Sequence, residues 1–428
     1  MNVICVGYFD KHARYFLDIN KWLERYSNKK VHFKYFSIHF SGYLYSLLRL
    51  RQNSFISSRA WIKANFNKKT YNQIIDSQES YKGIDFSRYL DFHLNLAKVN
   101  SKRALQRQAL AYIDLFDKAY NTIQPDLIIS VGDSRLCVEI AIAVAKQKGN
   151  KCYYIEQGPF DTTFFDEQGV NANLSKRQLS TNSNHHPNIK NQETVVTKKY
   201  LRSPIYRGFD ILLMKLFENT YLYPPDLKFT DLNTYKSKSN RKKTNTEYGK
   251  FALLAMQVPL DVNMVYHSPH YKSHLDIIKD ICKNLPDDIK LIVREHPLYI
   301  GKYEKAVYDF IREHNIIIDN ESTLDDALTN AELIIVNNST VGIEAINKYK
   351  SVIVLGDAFY DNEEVCLKLN SRDELSELLK MGLNRKVDKN KIDNYIRTLY
   401  DTVMLEGSIS DETLTSSKRI ANILISKV

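Results

Sequence analysis

The hydrophobic positions of the first 170 residues alternate between short apolar runs and helical spacing. The apolar runs predict strands at residues 2–7, 31–38, 127–131 and 151–155. The helical spacing predicts helices at residues 13–26, 104–120 and 136–148. Residues 40–100 are rich in tyrosine and phenylalanine without a clear period, and we assign them no element. The strand–helix–strand order predicts a parallel sheet with crossover helices.

The second half of the chain repeats this alternation more regularly. Strands are predicted at residues 251–256, 289–294, 316–318, 333–336 and 352–355. Helices are predicted at residues 271–285, 303–314, 324–329, 341–349 and 372–381. Five short strands that alternate with helices are typical of a doubly wound α/β domain.

Residues 172–248 are polar, basic and poor in apolar side chains, except at 206–223. We therefore predict an N-terminal α/β domain at 1–171 and a basic interdomain connection with helices at 172–248. A C-terminal α/β domain at 249–385 and C-terminal helices at 386–428, which pack back toward the junction, complete the prediction. The fold class is thus two Rossmann-like α/β domains that face a cleft. The basic run at 236–243 is either a solvated loop or a contact for phosphate or anionic lipid.

Composition restricts the class of protein without identifying it. The 428 residues are 43% hydrophobic and 26% charged, which excludes a disordered chain, a fibrous repeat and a polytopic membrane protein. The 60 basic and 50 acidic residues give a net charge of +10, which favours anionic partners. The five cysteines form no CxxC pair, as expected of reduced thiols. Because neither a signal sequence nor a run of about 20 apolar residues is found, we expect a cytoplasmic protein, with peripheral contact to the inner membrane face as an extension.

Polar segments follow four predicted strands of the C-terminal domain. They are Gln257 to Asp261, Glu295 to Pro297, Asn337 to Glu344, and Gly356 with Asp357. In open α/β sheets, ligands bind outside the carboxyl ends of the strands. These segments should therefore converge on one edge of one sheet.

Small polar residues precede the helix predicted at 341–349. Asn338, Ser339, Thr340 and Gly342 are suited to an anion site, because a helix N-terminus offers backbone N–H groups and a favourable dipole. Simple N-capping by Ser339 or Thr340 is the alternative. Glu344 can accept hydrogen bonds from ribose hydroxyls or merely complement the dipole.

Two further side chains that follow predicted strands are candidates for catalysis. His296 can bind or protonate a leaving phosphate, or be structural. Asp261 is a candidate nucleophile or base, or a turn residue. In the first domain, Glu156 is a candidate general acid/base, with a paired loop carboxylate as the alternative. No metal-ligand spacing, P-loop, GxGxxG or GxSxG motif occurs.

Other loops of the first domain are candidates for contact with an acceptor. The segment from Glu156 through Gly158 to Asn171 is predicted to follow the last strand of that domain and to face the cleft. Asp133 and Arg135 follow another strand there and can contact the acceptor.

An ordered set of these motifs resembles the capsule polysaccharide biosynthesis family, which contains the bacterial β-Kdo transferases. The residues that carry the resemblance are Glu156-x-Gly158, Asp166-x-x-Gly169-Val170-Asn171, Gln257-x-x-x-Asp261, His296-Pro297 and Asn338-Ser339-Thr340-Val341-Gly342-x-Glu344-Ala345. The resemblance covers residues 105–170 and 250–360. It departs from the family pattern at Glu295, where a basic residue is expected before the histidine.

The resemblance implies a GT-B glycosyltransferase that uses CMP-Kdo, with the donor site in the C-terminal domain. Asp261 would be the nucleophile that forms a glycosyl adduct, His296 would contact the CMP phosphate, and Glu156 would be the acid/base. Gln257 belongs to the donor motif, and the residues that would hold the nucleotide are Asn338, Ser339, Thr340, Gly342 and Glu344. Gly158, Asp133, Arg135 and Asn171 would lie on the acceptor side.

The prediction is therefore a retaining transferase that moves Kdo from CMP-Kdo to a lipid or glycolipid acceptor. It needs neither a metal nor another cofactor, and it has no nucleic acid partner. One alternative is another CMP- or UDP-sugar GT-B enzyme of surface-glycan synthesis, such as a sialyltransferase-like protein. The other is a non-catalytic capsule assembly protein.

Overall fold

The structure is a computed structural model that describes residues 1–27, 30–96, 101–177, 198–200, 202–228, 248–259 and 261–427. The chain divides into two compact units. Unit 1 contains residues 1–170, 185–230 and 402–428, and unit 2 contains residues 171–184 and 231–401. Each unit has its own largely parallel sheet with helices between the strands, which confirms the predicted α/β class.

The first half of the chain alternates helices and strands up to residue 217. The elements are β1 (Asn2–Gly7), α1 (Asp10–Tyr26), β2 (His32–Ser37), α2 (Phe40–Leu47), β3 (Asn53–Phe55), α3 (Ile56–Phe66), α4 (Lys68–Ser77), β4 (Ser80–Tyr81), β5 (Ile84–Asp85), α5 (Asp91–Leu96), α6 (Lys102–Ile123), β6 (Leu127–Val131), α7 (Leu136–Gln147), β7 (Lys151–Gln157), β8 (Thr162–Asp166) and α8 (Pro204–Phe217).

The second half continues the alternation to the end of the chain. The elements are β9 (Phe251–Ala255), α9 (Val262–Tyr266), α10 (His274–Asn284), β10 (Lys290–Arg294), α11 (Lys305–Glu313), β11 (Ile317–Ile318), α12 (Leu324–Asn330), β12 (Leu333–Val336), α13 (Val341–Asn347), β13 (Val352–Val354), β14 (Leu367–Lys368), α14 (Leu375–Asn384), α15 (Lys389–Thr402), β15 (Met404–Glu406) and α16 (Thr415–Ser426).

The sheet of unit 1 has the order β15-β8-β7-β6-β1-β2-β3. From β7 to β3 all neighbours are parallel, and the central strands are apolar because helices cover both faces. At the other edge, β8 pairs antiparallel with both β7 and β15. The sequence predicted that the strand at 151–155 is the last strand of this domain. This prediction was wrong, because β7 runs on to Gln157 and a tight turn leads into a further strand, β8. Glu156 therefore lies within a strand, and Asp166 ends the next one.

The described part of residues 172–248 contains α8, which packs against α2 in unit 1. The basic run at 236–243 lies outside the described residues. Of the predicted C-terminal helices, α15 belongs to unit 2 except for Thr402, and α16 packs against α1 in unit 1. The hydroxyl of Tyr15 on α1 lies 2.8 Å from the Ser416 hydroxyl on α16, which ties the end of the chain to its beginning.

The sheet of unit 2 has the order β11-β10-β9-β12-β13-β14, and every pair is parallel. Its five main strands were all predicted. Four of them, β9, β10, β12 and β13, are short apolar runs that are largely buried, whereas β11 is a half-buried pair of isoleucines. The short elements α9 and β14 were not predicted. They are too short for a period to be recognised.

The buried side chain of Asp226 binds the segment of residues 225–227 to α6 within unit 1. The Asp226 Oδ1 atom accepts a hydrogen bond from Gln108 Nε2 at 2.6 Å, and Oδ2 accepts one from the Tyr112 hydroxyl at 2.6 Å. Burial nevertheless raises the pKa of Asp226 to about 6. Because the folded state then holds a proton that the unfolded state releases, stability contributed by this group falls as the pH rises from about 4 to about 6.

The variant Asp226→Asn should remove this pH dependence. Relative to the variant, the parent should lose about 3 kcal/mol of unfolding free energy between pH 3.8 and pH 6, and the difference should stay constant above pH 6.5. Urea unfolding of both proteins across this pH range measures the difference in their free energies of unfolding. The other titrating groups contribute equally to both proteins and cancel in this difference. A difference that does not change with pH would contradict the raised pKa.

Candidate active site

The carboxyl ends of the central strands in unit 2 lie at one level. Ala255 of β9 pairs with both Arg294 of β10 and Val336 of β12, and Val336 pairs with Val354 of β13. The four polar segments that follow these strands therefore leave the same edge of the sheet, as the sequence predicted. Hydrogen bonds between the segments then decide which side chains meet.

Gln257 is a buried junction between two of these segments. Its side-chain Oε1 accepts a hydrogen bond from the backbone N–H of Asn338 at 3.3 Å. Its carbonyl accepts one from the Tyr303 hydroxyl at 3.0 Å. Its own N–H donates to Nε2 of His274 at 3.3 Å, and burial lowers the pKa of His274 to about 4, so that this ring is a neutral acceptor.

Tyr303 connects Gln257 to the segment that carries His296. The Tyr303 hydroxyl oxygen accepts a hydrogen bond from the backbone N–H of His296 at 3.1 Å while donating to Gln257. The backbone N–H of Leu298 donates to Nδ1 of His296 at 3.2 Å. With Nδ1 as the acceptor of this hydrogen bond, Nε2 is the ring atom that can donate to a ligand.

Glu295, where the sequence departs from the family pattern, holds the same loop in place. Its carboxylate accepts hydrogen bonds from the Tyr308 hydroxyl at 2.5 Å, from Asn320 Nδ2 at 2.5 Å and from the Gly301 N–H at 3.2 Å. Both oxygens therefore bind groups of unit 2. Glu295 is a positioning residue for the loop of His296, which the sequence did not indicate.

Asp261 is half-buried at the N-terminus of α9. Its carbonyl accepts the first helical hydrogen bonds, and its Oδ2 lies 3.4 Å from Nδ2 of Asn263. The side-chain amide of Asn338 donates to the carbonyls of Asn263 at 2.9 Å and His267 at 2.8 Å. The segments of Gln257, Asp261, His296 and Asn338 are thus joined by hydrogen bonds at one edge of the unit 2 sheet.

Two buried polar atoms at this edge have no hydrogen-bond partner among the described residues. They are Nε2 of Gln257 and Oδ1 of Asn338. The orientation of both amides is fixed, because the other atom of each amide has partners of the opposite kind. A buried polar atom left unpaired costs about 1–3 kcal/mol, so this donor and this acceptor are suited to a polar ligand or water.

The turn before α13 supplies its own acceptors for the first N–H groups. The N–H of Gly342 donates to the carbonyl of Ser339 at 3.0 Å, and that of Val341 lies 3.4 Å from the Ser339 hydroxyl. A Cβ on Gly342 would lie 2.6 Å from ring atoms of Tyr360, so glycine is required here for close packing. The geometry thus favours capping by Ser339 over anion binding by these two N–H groups.

Thr340 and Glu344 lie on the same short element. Thr340 is the N-cap residue of α13 and makes no side-chain capping hydrogen bond. Glu344 is half-buried, and burial raises the pKa of its carboxyl, opposed by Lys348. Both side chains remain candidates for contact with a nucleotide.

Glu156 and Arg135 lie near the carboxyl ends of adjacent strands in unit 1. Burial raises the pKa of the Glu156 carboxyl, opposed by the N–H of Gln157, by Lys11 and by Arg135, and reinforced by Asp133. The Arg135 guanidinium lies 4.9 Å from the ring centre of Tyr8. A carboxyl with a raised pKa holds a proton closer to neutral pH, which suits an acid/base group.

Four residues near Glu156 and Arg135 were not identified from the sequence as candidates for the site. They are Tyr8, Lys11, His12 and His39. Burial and neighbouring cations hold the pKa values of His12 and His39 well below that of a free histidine, and burial lowers the pKa of Lys11. They follow β1 and β2, so the rule that we applied to the second domain would have found them in the first.

The other residues predicted to lie on the acceptor side take part in turns or in hydrogen bonds to the backbone. Gly158 donates its N–H to the Thr162 carbonyl at 2.9 Å in the turn between β7 and β8. Asp133 Oδ2 accepts the N–H of Val170 at 2.9 Å, which fixes the loop after β8. Asn171 has φ +52° and belongs to unit 2. Their predicted contact with an acceptor stays a prediction.

Among the described residues, no group of three or more His, Cys, Asp or Glu side chains is arranged to hold a metal ion. The expectation that no metal or cofactor is needed stays a prediction. Within the described part of the chain, no helix is both long and apolar enough to cross a membrane.

Residues 227–408 match the family model of the capsule polysaccharide biosynthesis proteins. Protein FixF of Sinorhizobium fredii (strain NBRC 101917 / NGR234) is 26% identical over 187 residues, which are 42% of this chain and 45% of that protein. The chain thus spans about half the length of this curated relative.

Two solved structures are similar at low levels. UDP-GlcNAc 2-epimerase of Methanocaldococcus jannaschii is 14% identical, with a TM-score of 0.34 and complete coverage of both chains. The β-Kdo 2,7 transferase of KpsC from Thermosulfurimonas dismutans is 14% identical, with a TM-score of 0.34, over 66% of this chain and 88% of that one. At these TM-scores neither likeness bears on the function of this chain.

The variant Tyr303→Phe should lower the free energy of unfolding by about 1–3 kcal/mol, because it leaves the Gln257 carbonyl and the His296 N–H without their shared partner. Tyr349→Phe is the matched control, because that exposed hydroxyl bonds to Asp393 at the surface. We expect the control to change stability by less than about 0.5 kcal/mol. Chemical denaturation measures both, and equal effects would contradict the bridging role.

Proposed function

We propose that this protein, a member of the capsule polysaccharide biosynthesis family over residues 227–408, is a glycosyltransferase of surface-polysaccharide synthesis. It transfers Kdo from CMP-Kdo to a lipid or glycolipid acceptor and has the GT-B arrangement of two Rossmann-like domains. The observation that carries the proposal is the hydrogen-bonded group of Gln257, Asp261, His296 and Asn338 inside the matched segment.

The donor is a phosphate ester, and the group of side chains offers donors suited to it. His296 donates from Nε2 to a phosphate oxygen of CMP. Gln257 Nε2 is a second buried donor, and Asn338 Oδ1 accepts from a ligand hydroxyl or amine. Ser339, Thr340, Gly342 and Glu344 line the nucleotide in the same proposal, with Glu344 accepting from ribose hydroxyls.

The chemistry proceeds in two displacements at the anomeric carbon. An Asp261 carboxylate oxygen attacks that carbon, and the bond from carbon to the CMP phosphate oxygen breaks, with the electron pair leaving on CMP. The hydrogen bond from His296 stabilises the charge that develops on the departing phosphate. The acceptor hydroxyl then displaces Asp261, and two inversions give net retention.

The second displacement releases a proton from the acceptor hydroxyl. The proposal gives this proton to Glu156, whose raised pKa suits transfer near neutral pH. The proposed reaction requires no metal, because hydrogen bonds stabilise the charge on the leaving phosphate. Association with the inner face of the cell membrane, where a lipid acceptor lies, belongs to the same proposal.

After brief exposure to CMP-Kdo without acceptor, intact-protein mass spectrometry should detect one added Kdo residue, and peptide mapping should find it on Asp261. The variant Asp261→Asn should give no adduct and lose transfer activity by at least about 10³-fold. Asp325→Asn, on the exposed surface of α12, is the control and should behave as the parent. An adduct that persists in Asp261→Asn would contradict the assignment of the nucleophile.

CMP should bind to the parent protein, and His296→Ala should weaken binding by about 10- to 100-fold, because a hydrogen bond to a charged group contributes about 1.5–3 kcal/mol. His296→Gln, which retains an N–H donor, should recover part of this loss. His314→Ala, an exposed histidine on the same unit, should change nothing. Titration calorimetry with CMP and UDP measures all four proteins. Binding of UDP alone would favour a UDP-sugar enzyme, and the absence of any binding would favour a non-catalytic protein.

A further inference from the structure

Helix α8 of unit 1 exposes an apolar stripe along its whole length. Its members, Ile205, Phe209, Leu212 and Leu216, are 71%, 40%, 51% and 59% exposed. Their spacing of four, three and four residues places them on one face of the helix. Of the 14 residues of α8, only Met214 is buried, although the helix is predominantly apolar.

The opposite side of α8 is fixed to α2, so the orientation of the stripe is set. The backbone N–H of Ser41 donates to Asp210 Oδ1 at 2.8 Å, and Arg202 bonds to the same carboxylate at 2.5 Å. The ring of Tyr206 lies 5.4 Å from that of Tyr45. The ring of Phe209 lies 6.3 Å from that of Phe40 on α2, so this member of the stripe is partly covered, whereas Ile205, Leu212 and Leu216 remain outward.

Other exposed apolar side chains extend this surface at both ends of the helix. At the end of α2, whose Tyr45 contacts the first turn of α8, they are Leu47, the last residue of the helix, and Leu48 and Leu50 just after it, of which Leu50 is 95% exposed. Beyond α8 they are Tyr221 and Leu222. The Tyr221 carbonyl accepts a hydrogen bond from Trp61 Nε1 at 2.6 Å, so this segment is held against α3. We call the α8 stripe with these five residues the apolar face.

The charges beside the apolar face are mainly positive. Lys215 lies three residues from Leu212 on the helix surface. Arg49 is exposed, and its guanidinium lies 3.6 Å from the ring centre of Tyr45, which contacts the first turn of α8. The one carboxylate within α8, Asp210, is used by Arg202 and Ser41. Glu218, just after the helix, is half-buried. Apolar side chains bordered by cations complement an anionic lipid surface.

The length of α8 excludes a membrane-spanning role for it. Fourteen residues of helix extend about 21 Å, whereas the hydrocarbon core of a bilayer is about 30 Å thick. A helix with an apolar face and flanking cations instead lies in the plane of the interface.

We infer that the apolar face of unit 1 binds the surface of a membrane that contains anionic phospholipid, with α8 lying parallel to the bilayer. The α8 stripe enters the acyl boundary, and Lys215 and Arg49 contact lipid phosphates. The inference stands on this surface alone and holds whether or not the protein transfers Kdo. It deepens the proposed function, because a transferase that acts on a lipid acceptor works at such a surface.

The test is flotation of the full-length protein with vesicles of phosphatidylcholine alone or with one third phosphatidylglycerol. The parent should float with the anionic vesicles and bind the neutral ones at least about tenfold more weakly. The double variant Leu212→Gln/Leu216→Gln should reduce the partition coefficient by at least about tenfold. Met381→Gln, a 50% exposed apolar residue on α14 of unit 2, is the matched control and should bind as the parent.

Charge is tested separately from apolar contact. Arg49→Gln/Lys215→Gln should lose the preference for anionic vesicles, whereas Lys305→Gln/Arg312→Gln on the exposed side of α11 should retain it. The urea unfolding curve of each variant shows that the protein is folded. CMP binding, which tests the proposed function, is measured separately, so a failure here is distinct from a failure of the proposed function. A parent that does not float, or a Leu212→Gln/Leu216→Gln variant that floats as the parent does, would overturn the inference. So would sedimentation showing a lipid-free dimer that this variant converts to a monomer, because the face would then bind a second copy.

Discussion

The side chain and backbone of Asn338 together connect three segments of unit 2, and the candidate active site depends on that connection. Its backbone N–H binds Gln257, and its amide group binds the carbonyls of Asn263 and His267. These bonds are buried, where an unpaired amide would be costly, so the segments after β9 and β12 hold one arrangement. The Tyr303 hydroxyl extends the connection to His296.

This arrangement separates groups that hold the loops from groups that remain available to a ligand. Glu295 and Tyr303 use their polar atoms on the loops themselves. Gln257 and Asn338 use one side of each amide internally, and the other side has no partner in the part of the chain that the structure describes. The same division appears in unit 1, where Asp133 fixes a loop while Glu156 keeps a raised pKa. The loops of the candidate site are therefore held in place by hydrogen bonds, while some of their polar atoms remain available to a ligand.

The two proposals use different parts of the chain and different forces. The donor proposal rests on hydrogen bonds to a phosphate in unit 2, whereas the membrane proposal rests on apolar burial and surface charge in unit 1. The net charge of +10 favours anionic partners in general and agrees with both. Because α8 is predominantly apolar but has one buried residue, its sequence is explained better by a surface that it contacts than by the interior of its unit.

The sequence by itself determined the central strands of both sheets, because each is a short apolar run between turn residues. The strands β3, β8, β14 and β15 were not predicted. The carboxyl-end rule then brought Gln257, Asp261, His296 and Asn338 together, since parallel strands in register end at one edge. Only the tertiary structure decided that Gly342 packs under Tyr360, that Glu295 holds the loop of His296, and that β8 follows Glu156. These depend on contacts between residues distant along the chain, which no local pattern encodes. The exposure of the α8 stripe could not be predicted for the same reason. An apolar helix has the same sequence pattern whether other elements cover it or leave it exposed.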